Sequence, residues 1–255
     1  MVDDNAAPRK PRKGIYLLPN LFTTAALFAG FFAIISAIGG RYQEAAVSIF
    51  IAMIFDGLDG RIARLTNTAS AFGVEYDSLS DMVSFGVAPA LVVYVWALQE
   101  PMAIHGIWGK LGWLAAFLYA AMAALRLARF NTQVGTADKR YFQGLASPAA
   151  AGVIAGMVWV ADDMGFAGQD LWFPAIVVTV IAGLLMVSNV RYHSGKNIDL
   201  KGRVPFFTVL IVVVLFVLTS VDPPKVLFGA FLAYAVSGPV LTLVQLRKRR
   251  AERQR

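Results

Sequence analysis

Four aspartates stand close together in a chain that is otherwise strongly apolar: Asp56 and Asp59, spaced i, i+3, and Asp77 and Asp81, spaced i, i+4. On a helix, each pair projects from one face. An ionised aspartate at a bilayer centre costs very roughly 2.5–3.5 kcal/mol on insertion scales, so four would cost on the order of 10 kcal/mol. Such a cluster is tolerable only where something cationic offsets it, and the simplest offset is a divalent metal site suited to phosphate chemistry. Gly57, Gly60 and Gly73 lie among the aspartates and remove side-chain bulk, so a nucleotide or phosphate could approach the backbone closely. Arg64, four residues after Gly60, falls on the same face and has the fork geometry to hold phosphate oxygens. A lone aspartate at a helix end is often a cap, and Asp77 taken singly could be one. Four at helical spacing, with glycines and an arginine between them, favour ligand binding.

The composition limits which metal this can be. Among 255 residues there is no cysteine, and the two histidines, His105 and His193, lie far apart in predicted loops. A thiolate site is excluded and a histidine zinc site disfavoured. Oxygen ligands remain, and they suit Mg²⁺ or Mn²⁺.

Charged residues make up 15% of the chain, against about a quarter in soluble domains, and the mean hydropathy is +0.62. Apolar runs long enough to cross a bilayer fall at 17–38, 43–65, 73–98, 111–130, 147–164, 171–189, 205–220 and 226–246. The expected fold is therefore an all-α integral membrane protein of eight transmembrane helices. Its membrane domain, 17–246, sits between basic tails at 1–16 and 247–255. The basic stretch at 9–14 precedes a run too long for a signal peptide and without a convincing cleavage site, so it reads as the flank of a retained first span. With the N-terminus inside, all but Arg41, Lys110 and Lys225 of the 23 lysines and arginines fall on the cytoplasmic side, while Asp162 and Asp163 fall outside. That asymmetry obeys the positive-inside rule, and it requires both termini to be cytoplasmic. The basic C-terminal tail then reads as a topology anchor facing anionic lipid, not as a nucleic-acid site. Residues 152–156, GVIAG, read as a small-residue packing seam.

The full spacing D-x2-D-G-x2-A-R-x8-G-x3-D-x3-D is met by Asp56, Asp59, Gly60, Ala63, Arg64, Gly73, Asp77 and Asp81. It resembles the signature of the CDP-alcohol phosphatidyltransferases, membrane enzymes of phospholipid synthesis. The stretches 17–34, 124–131 and 142–152 resemble the phosphatidylserine synthase branch. The resemblance implies a six-helix catalytic core with two additional spans, in the inner membrane, with the active site facing the cytoplasm. It implies that Asp56, Asp59 and Asp77 ligate Mg²⁺ or Mn²⁺, and that Asp81 touches metal and acts as general base. Gly60, Arg64 and Gly73 would cradle the cytidine and its phosphate. CDP-diacylglycerol and L-serine would be the substrates and a homodimer the assembly, among membrane lipids.

Arg126 and Arg129, i, i+3 at the end of the fourth span, and Asn131 are candidates for an acceptor or lipid-phosphate site, although positive-inside anchoring explains such arginines equally well. Glycerol 3-phosphate and inositol phosphate stay open as acceptors, but each should demand more basic residues than serine does. A prenyltransferase would favour two separated aspartate-rich motifs, and a transporter would favour midplane carboxylates within inverted repeats. Neither pattern is present in the sequence.

Overall fold

The computed structural model describes residues 17–68, 70–99, 108–132, 141–193 and 206–253. The basic N-terminal stretch, His105, Lys139 and Arg140 lie outside them. Each of the eight apolar segments expected from the sequence is helical. The helices are α1 (Leu17–Ile38), α2 (Tyr42–Leu65), a rod opened by α3 (Ala71–Asp81) and continued by α4 (Ala88–Val93), α5 (Trp108–Thr132), α6 (Ser147–Asp163), α7 (Trp172–Val187), α8 (Phe206–Val221) and α9 (Pro223–Arg253). Five stretches among the described residues, 17–38, 71–98, 110–132, 168–187 and 223–244, are long and apolar enough to cross a membrane. Large side chains such as Phe28, Phe31, Phe117 and Ile181 are exposed, as lipid-facing residues are. The protein is an all-α membrane protein.

Small residues set the packing. In α1, Thr23, Ala26, Gly30, Ala33 and Ala37 form one buried stripe. It meets the α2 stripe of Ala45, Ile49 and Ala52, which runs on into Asp56 and Asp59. Without long side chains between them the two backbones approach closely, which is how helices associate in lipid. The seam expected at 152–156 is used in the same way. A Cβ on Gly152 would come within 2.7 Å of the Phe231 ring, and one on Gly156 within 3.0 Å of the Phe228 backbone, so α9 lies directly on α6. Asp222 breaks α8 from α9, and its carboxylate accepts from the Lys225 backbone N–H at 3.2 Å. Pro223 and Pro224 then open α9, where missing N–H groups are harmless. The helix runs to Arg253, through most of the stretch read as a basic tail.

Three features depart from simple helices. Residues Met82–Val87 and Tyr94–Leu98 are π-helical, wider than the α-helical turns on either side. Pro89 explains the first: it has no N–H to give the carbonyl of Phe85 four residues earlier. The buried Tyr119 hydroxyl, from α5, donates to that carbonyl instead, at 3.0 Å. The third feature corrects the expectation of helices and loops alone. Tyr141–Gln143 (β1) and Arg191–His193 (β2) pair antiparallel, with Phe142 opposite Tyr192. His193, expected in a loop, ends β2. Gly144 closes this ribbon with φ +78° at a position where a Cβ would strike the Met186 carbonyl, so only glycine fits.

Replacing Tyr119 by Phe removes the donor and leaves the Phe85 carbonyl buried. The expected cost is about 1–3 kcal/mol, read as a lower melting temperature of the purified protein in detergent. An unchanged melting temperature would show that the π turn does not depend on this bond.

Candidate active site

Asp56 and Asp59 project from the second half of α2, and Asp77 and Asp81 from the second half of α3. One carboxylate oxygen from each of Asp56, Asp59 and Asp77 lies within 4.8 Å of the others. Asp81 stands beside this trio, its carboxyl in hydrogen-bonding contact with that of Asp56. Two ionised carboxylates of the trio, 4.8 Å apart, repel by about 3 kcal/mol at an effective dielectric of about 20. Among the described residues, no lysine or arginine forms an ion pair with any of the four. Among the described residues, the cluster is therefore held by no ion pair. A six-coordinate Mg²⁺ with bonds of about 2.1 Å needs its ligand oxygens no more than roughly 4.2 Å apart. The trio meets that with a contraction of some tenths of an ångström, so the donor set fits a hard divalent ion.

What holds the trio is α1. The buried Thr23 hydroxyl lies 2.8 Å from Asp59 Oδ2, which it faces as donor, and 3.2 Å from its own helix at Pro19 O. The backbone carbonyl of the same residue accepts from Ser80 Oγ at 3.1 Å, immediately before Asp81. One turn further on, Ser84 Oγ donates to Ala26 O, also at 3.1 Å. Thr24 and Tyr76 share a hydrogen bond of 2.9 Å, tying α3 to α1 one residue before Asp77. Thr23 thus fixes one aspartate with its side chain and the other aspartate helix with its backbone. At the mouth of the first span, Thr23 could be read from sequence as a substrate hydrogen-bonder or a helix cap, and it lies inside α1 (Leu17–Ile38), not at its start. The signal for it was available: it continues the stripe of Ala26, Gly30, Ala33 and Ala37.

The other expected site residues divide. Asp77 is no cap, because Ser70 caps α3 by accepting from the Gly73 N–H at 3.0 Å. Gly57 and Gly60 are exposed with open space where a Cβ would stand, while Arg64 is exposed one turn on. Gly73 is packed closely instead, its Cβ position 3.2 Å from Ser70 Oγ and 3.5 Å from Asn20 Oδ1. Asn131 donates to Ser78 Oγ at 2.9 Å, fastening the end of α5 beside Asp77. Arg129 donates to Asn189 Oδ1 at 3.1 Å, to Gln143 Oε1, and at 3.4 Å to Val187 O. Arg126 reaches Gln143 O at 3.4 Å. Asn189, a partner in this network, carried no signal in the sequence, and Gln143 was marked only as part of the stretch 142–152. Near the N-terminal end of α1 a pocket of about 470 Å³ is lined by Leu17, Leu18, Asn20, Leu21 and Thr24.

Three carboxylates gathered at this spacing in a membrane helix bundle form a site that could hold a divalent ion. Residues 16–169, from α1 through α6, match the family described as CDP-alcohol phosphatidyltransferase. The chain belongs to that family. It is 35% identical over 236 residues to the "CDP-diacylglycerol--serine O-phosphatidyltransferase" of Helicobacter pylori strain J99, covering 92% of this chain and 96% of the relative. Proteins of the same name from Mycobacterium tuberculosis strain CDC 1551 and Saccharomyces cerevisiae are 37% and 36% identical. Those matches cover 70% and 63% of this chain, and 62% and 64% of the relatives.

If Thr23 orients Asp59 as a ligand, Thr23→Val should weaken divalent-ion affinity by about 10-fold or more, while Thr23→Ser stays near the parent. The measurement is the rise in melting temperature on titration with Mg²⁺ or Mn²⁺. Equal midpoints for parent and Thr23→Val would remove the threonine from the site.

Proposed function

We propose that the protein transfers the phosphatidyl group from CDP-diacylglycerol to L-serine, giving phosphatidylserine and CMP. The observation that carries the reading is the trio of Asp56, Asp59 and Asp77 with Asp81 against it, in a chain similar over 92% of its length to a protein named for that reaction. Asp56, Asp59 and Asp77 would hold Mg²⁺ or Mn²⁺, which when bound neutralises pyrophosphate charge and polarises the phosphorus. Asp81 accepts the proton from the serine hydroxyl as its oxygen bonds to the phosphorus bearing diacylglycerol, and the bond from that phosphorus to the CMP oxygen breaks. As a carboxylate outside the closest ligand trio, Asp81 keeps an oxygen for that proton. Gly57 and Gly60 leave the backbone of α2 open for the nucleotide, and the exposed Arg64 reaches its phosphate. Gly73 supports this wall indirectly, by letting Ser70 cap α3.

Purified protein with Mg²⁺ or Mn²⁺ should incorporate labelled serine into lipid from CDP-diacylglycerol and release CMP. A chain that instead labels glycerol 3-phosphate or inositol phosphate would keep the chemistry and lose the acceptor. Asp81→Asn should lower turnover by about 10²–10⁴-fold while CDP-diacylglycerol binding persists. Loss of that binding would make Asp81 chiefly a metal ligand.

The same reading has eight crossings in the inner membrane, both termini and the aspartates on the cytoplasmic side, and a homodimer as the working unit. Because the chain has no cysteine, single introduced cysteines can test this. An impermeant thiol reagent applied from outside should label Gly165→Cys in intact cells and spare Asn67→Cys. The reverse pattern would invert the protein.

A further inference from the structure

The rod of α3 and α4 carries two sets of contacts, and the π turn at Met82–Val87 sets the angle between them. Upstream, Ser80 gives its hydroxyl to Thr23 O of α1, while Asp77 and Asp81 meet the aspartates of α2. Downstream, Ala88, Val92 and Trp96 are buried in the core. Within the turn the Ala88 N–H donates to Val83 O, five residues back instead of four. Such a turn holds one residue more than an α turn. Each residue of an α-helix advances by about 100°, so with the downstream half held, a continuous α-helix would swing the upstream half by roughly that angle. Ser78 and Met82 would then stand where Asp77 and Asp81 stand. Asp81 would take the place of Ser80, against the Thr23 carbonyl, which receives a hydroxyl but repels a carboxylate.

The neighbouring helices are shaped for the wider turn. On α1, a Cβ at Gly30 would come within 2.7 Å of Ser84 Cα, so a glycine there lets the widened backbone lie against the helix, and Ser84 Oγ donates to Ala26 O at 3.1 Å. On α5, Tyr119 gives its hydroxyl to Phe85 O at 3.0 Å, the carbonyl that Pro89 leaves without an N–H. Tyr119 is fully buried, and its own backbone is clasped by α7, where a Cβ at Gly183 would lie 3.3 Å from Tyr119 Cα. The donor is thus fixed by two helices that carry none of the four aspartates.

We propose that the π turn, locked by the Tyr119 hydroxyl on Phe85 O, is the register device that turns Asp77 and Asp81 toward Asp56 and Asp59, which makes Tyr119 a positioning residue for the site. It acts through the backbone of a neighbouring helix and touches no carboxylate. Pro89 removes the bond that would close the turn as α, and Tyr119 supplies the bond that keeps it open. The extra residue costs the core nothing, because the widened backbone is enclosed by α1 and α5. It places the carboxylates on a face that the spacing of the downstream core residues would otherwise deny them. The ion-binding arm of the test below rests on the aspartates as a metal site, and the kinetic arm on the serine reading above.

The test reads the midpoint of the rise in melting temperature on titration with Mg²⁺ or Mn²⁺, together with kcat for serine incorporation. Tyr119→Phe combined with Pro89→Ala returns an N–H to Phe85 O from within the helix, so the turn can close as α. Without added ions this double variant should melt above Tyr119→Phe alone, because the buried carbonyl is satisfied again. It should nevertheless bind the ion about 10-fold or more weakly than the parent and turn over about 10²-fold more slowly. A tyrosine that serves stability alone predicts the opposite, recovery of both. Deleting Val83 from the double variant removes the extra residue and restores the phase, so the ion midpoint should return toward the parent value. Should these rebuilt turns not fold, Tyr119→Phe is compared with Tyr192→Phe, which deletes another buried hydroxyl, 2.9 Å from Ala235 O. Both should lower the melting temperature, and only Tyr119→Phe should shift the ion midpoint. A double variant with the parent's midpoint overturns this assignment alone, as does an equal shift in Tyr192→Phe. A parent protein whose melting responds to neither ion overturns the metal reading, and this assignment with it.

Discussion

Mutual repulsion among Asp56, Asp59, Asp77 and Asp81 is the constraint around which the bundle is arranged. Each close pair costs about 3 kcal/mol, several times the worth of an ordinary hydrogen bond. Helices α2 and α3 would therefore move apart if nothing opposed them. The opposition is neutral. Thr23 holds Asp59 by a hydroxyl and takes Ser80 on its own carbonyl, and Ser84 repeats the contact at Ala26. Beneath these bonds the alanine and glycine stripes of α1 and α2 allow close packing along most of their length. The helix without a carboxylate is the one that makes the carboxylate site possible.

Much of this was legible in the sequence because the information is local. Spacings of three and four residues place Asp56 with Asp59 and Asp77 with Asp81 on common faces, and the few residues between Leu65 and Ala71 force α2 and α3 to meet at one end. Gly152 and Gly156 were readable as a seam for the same reason, though not that Phe231 and Phe228 of α9 would fill it. What stayed hidden is long-range. Thr23 and Asp59 are 36 residues apart, and Arg129 and Asn189 are 60 apart. No periodicity links them. The three-residue strands β1 and β2 are too short to show the alternation that marks a strand. They exist because each extends a chain already pinned, by Leu145 N–H on Leu185 O at 2.9 Å and Gly144 N–H on Val190 O at 2.8 Å.

The two π-helical turns follow from the same economy of backbone groups. Inside a membrane bundle a carbonyl without a donor is expensive, and Pro89 creates one at Phe85. The chain answers by widening the helix and bringing Tyr119 across from α5. Asp81 is the last residue before that widening, so its direction is set by a turn that a neighbouring helix stabilises. The second π turn ends against Gly112 and Gly168, at positions where a Cβ would strike the carbonyls of Leu98 and Trp96. Both irregular turns are thus enclosed by protein, where non-helical backbone can be satisfied, and neither faces lipid as a free defect.

Opposite charges are kept near one another in this site without being joined. Arg64 follows the aspartates on α2 and Arg126 lies on α5, and among the described residues neither forms an ion pair with them. Had Arg126 closed on Asp81, both charges would be consumed, and freeing either would require breaking a partly buried pair at a cost of several kcal/mol. Near the site, uncharged partners hold the charged residues that only need to be positioned: Thr23 for Asp59, and Gln143 with Asn189 for Arg129. Neutral anchoring leaves these positive and negative groups unpaired with each other among the described residues, so each stays open to a ligand of opposite charge. The bundle is pre-organised for its ligands because its own charges have been prevented from pairing.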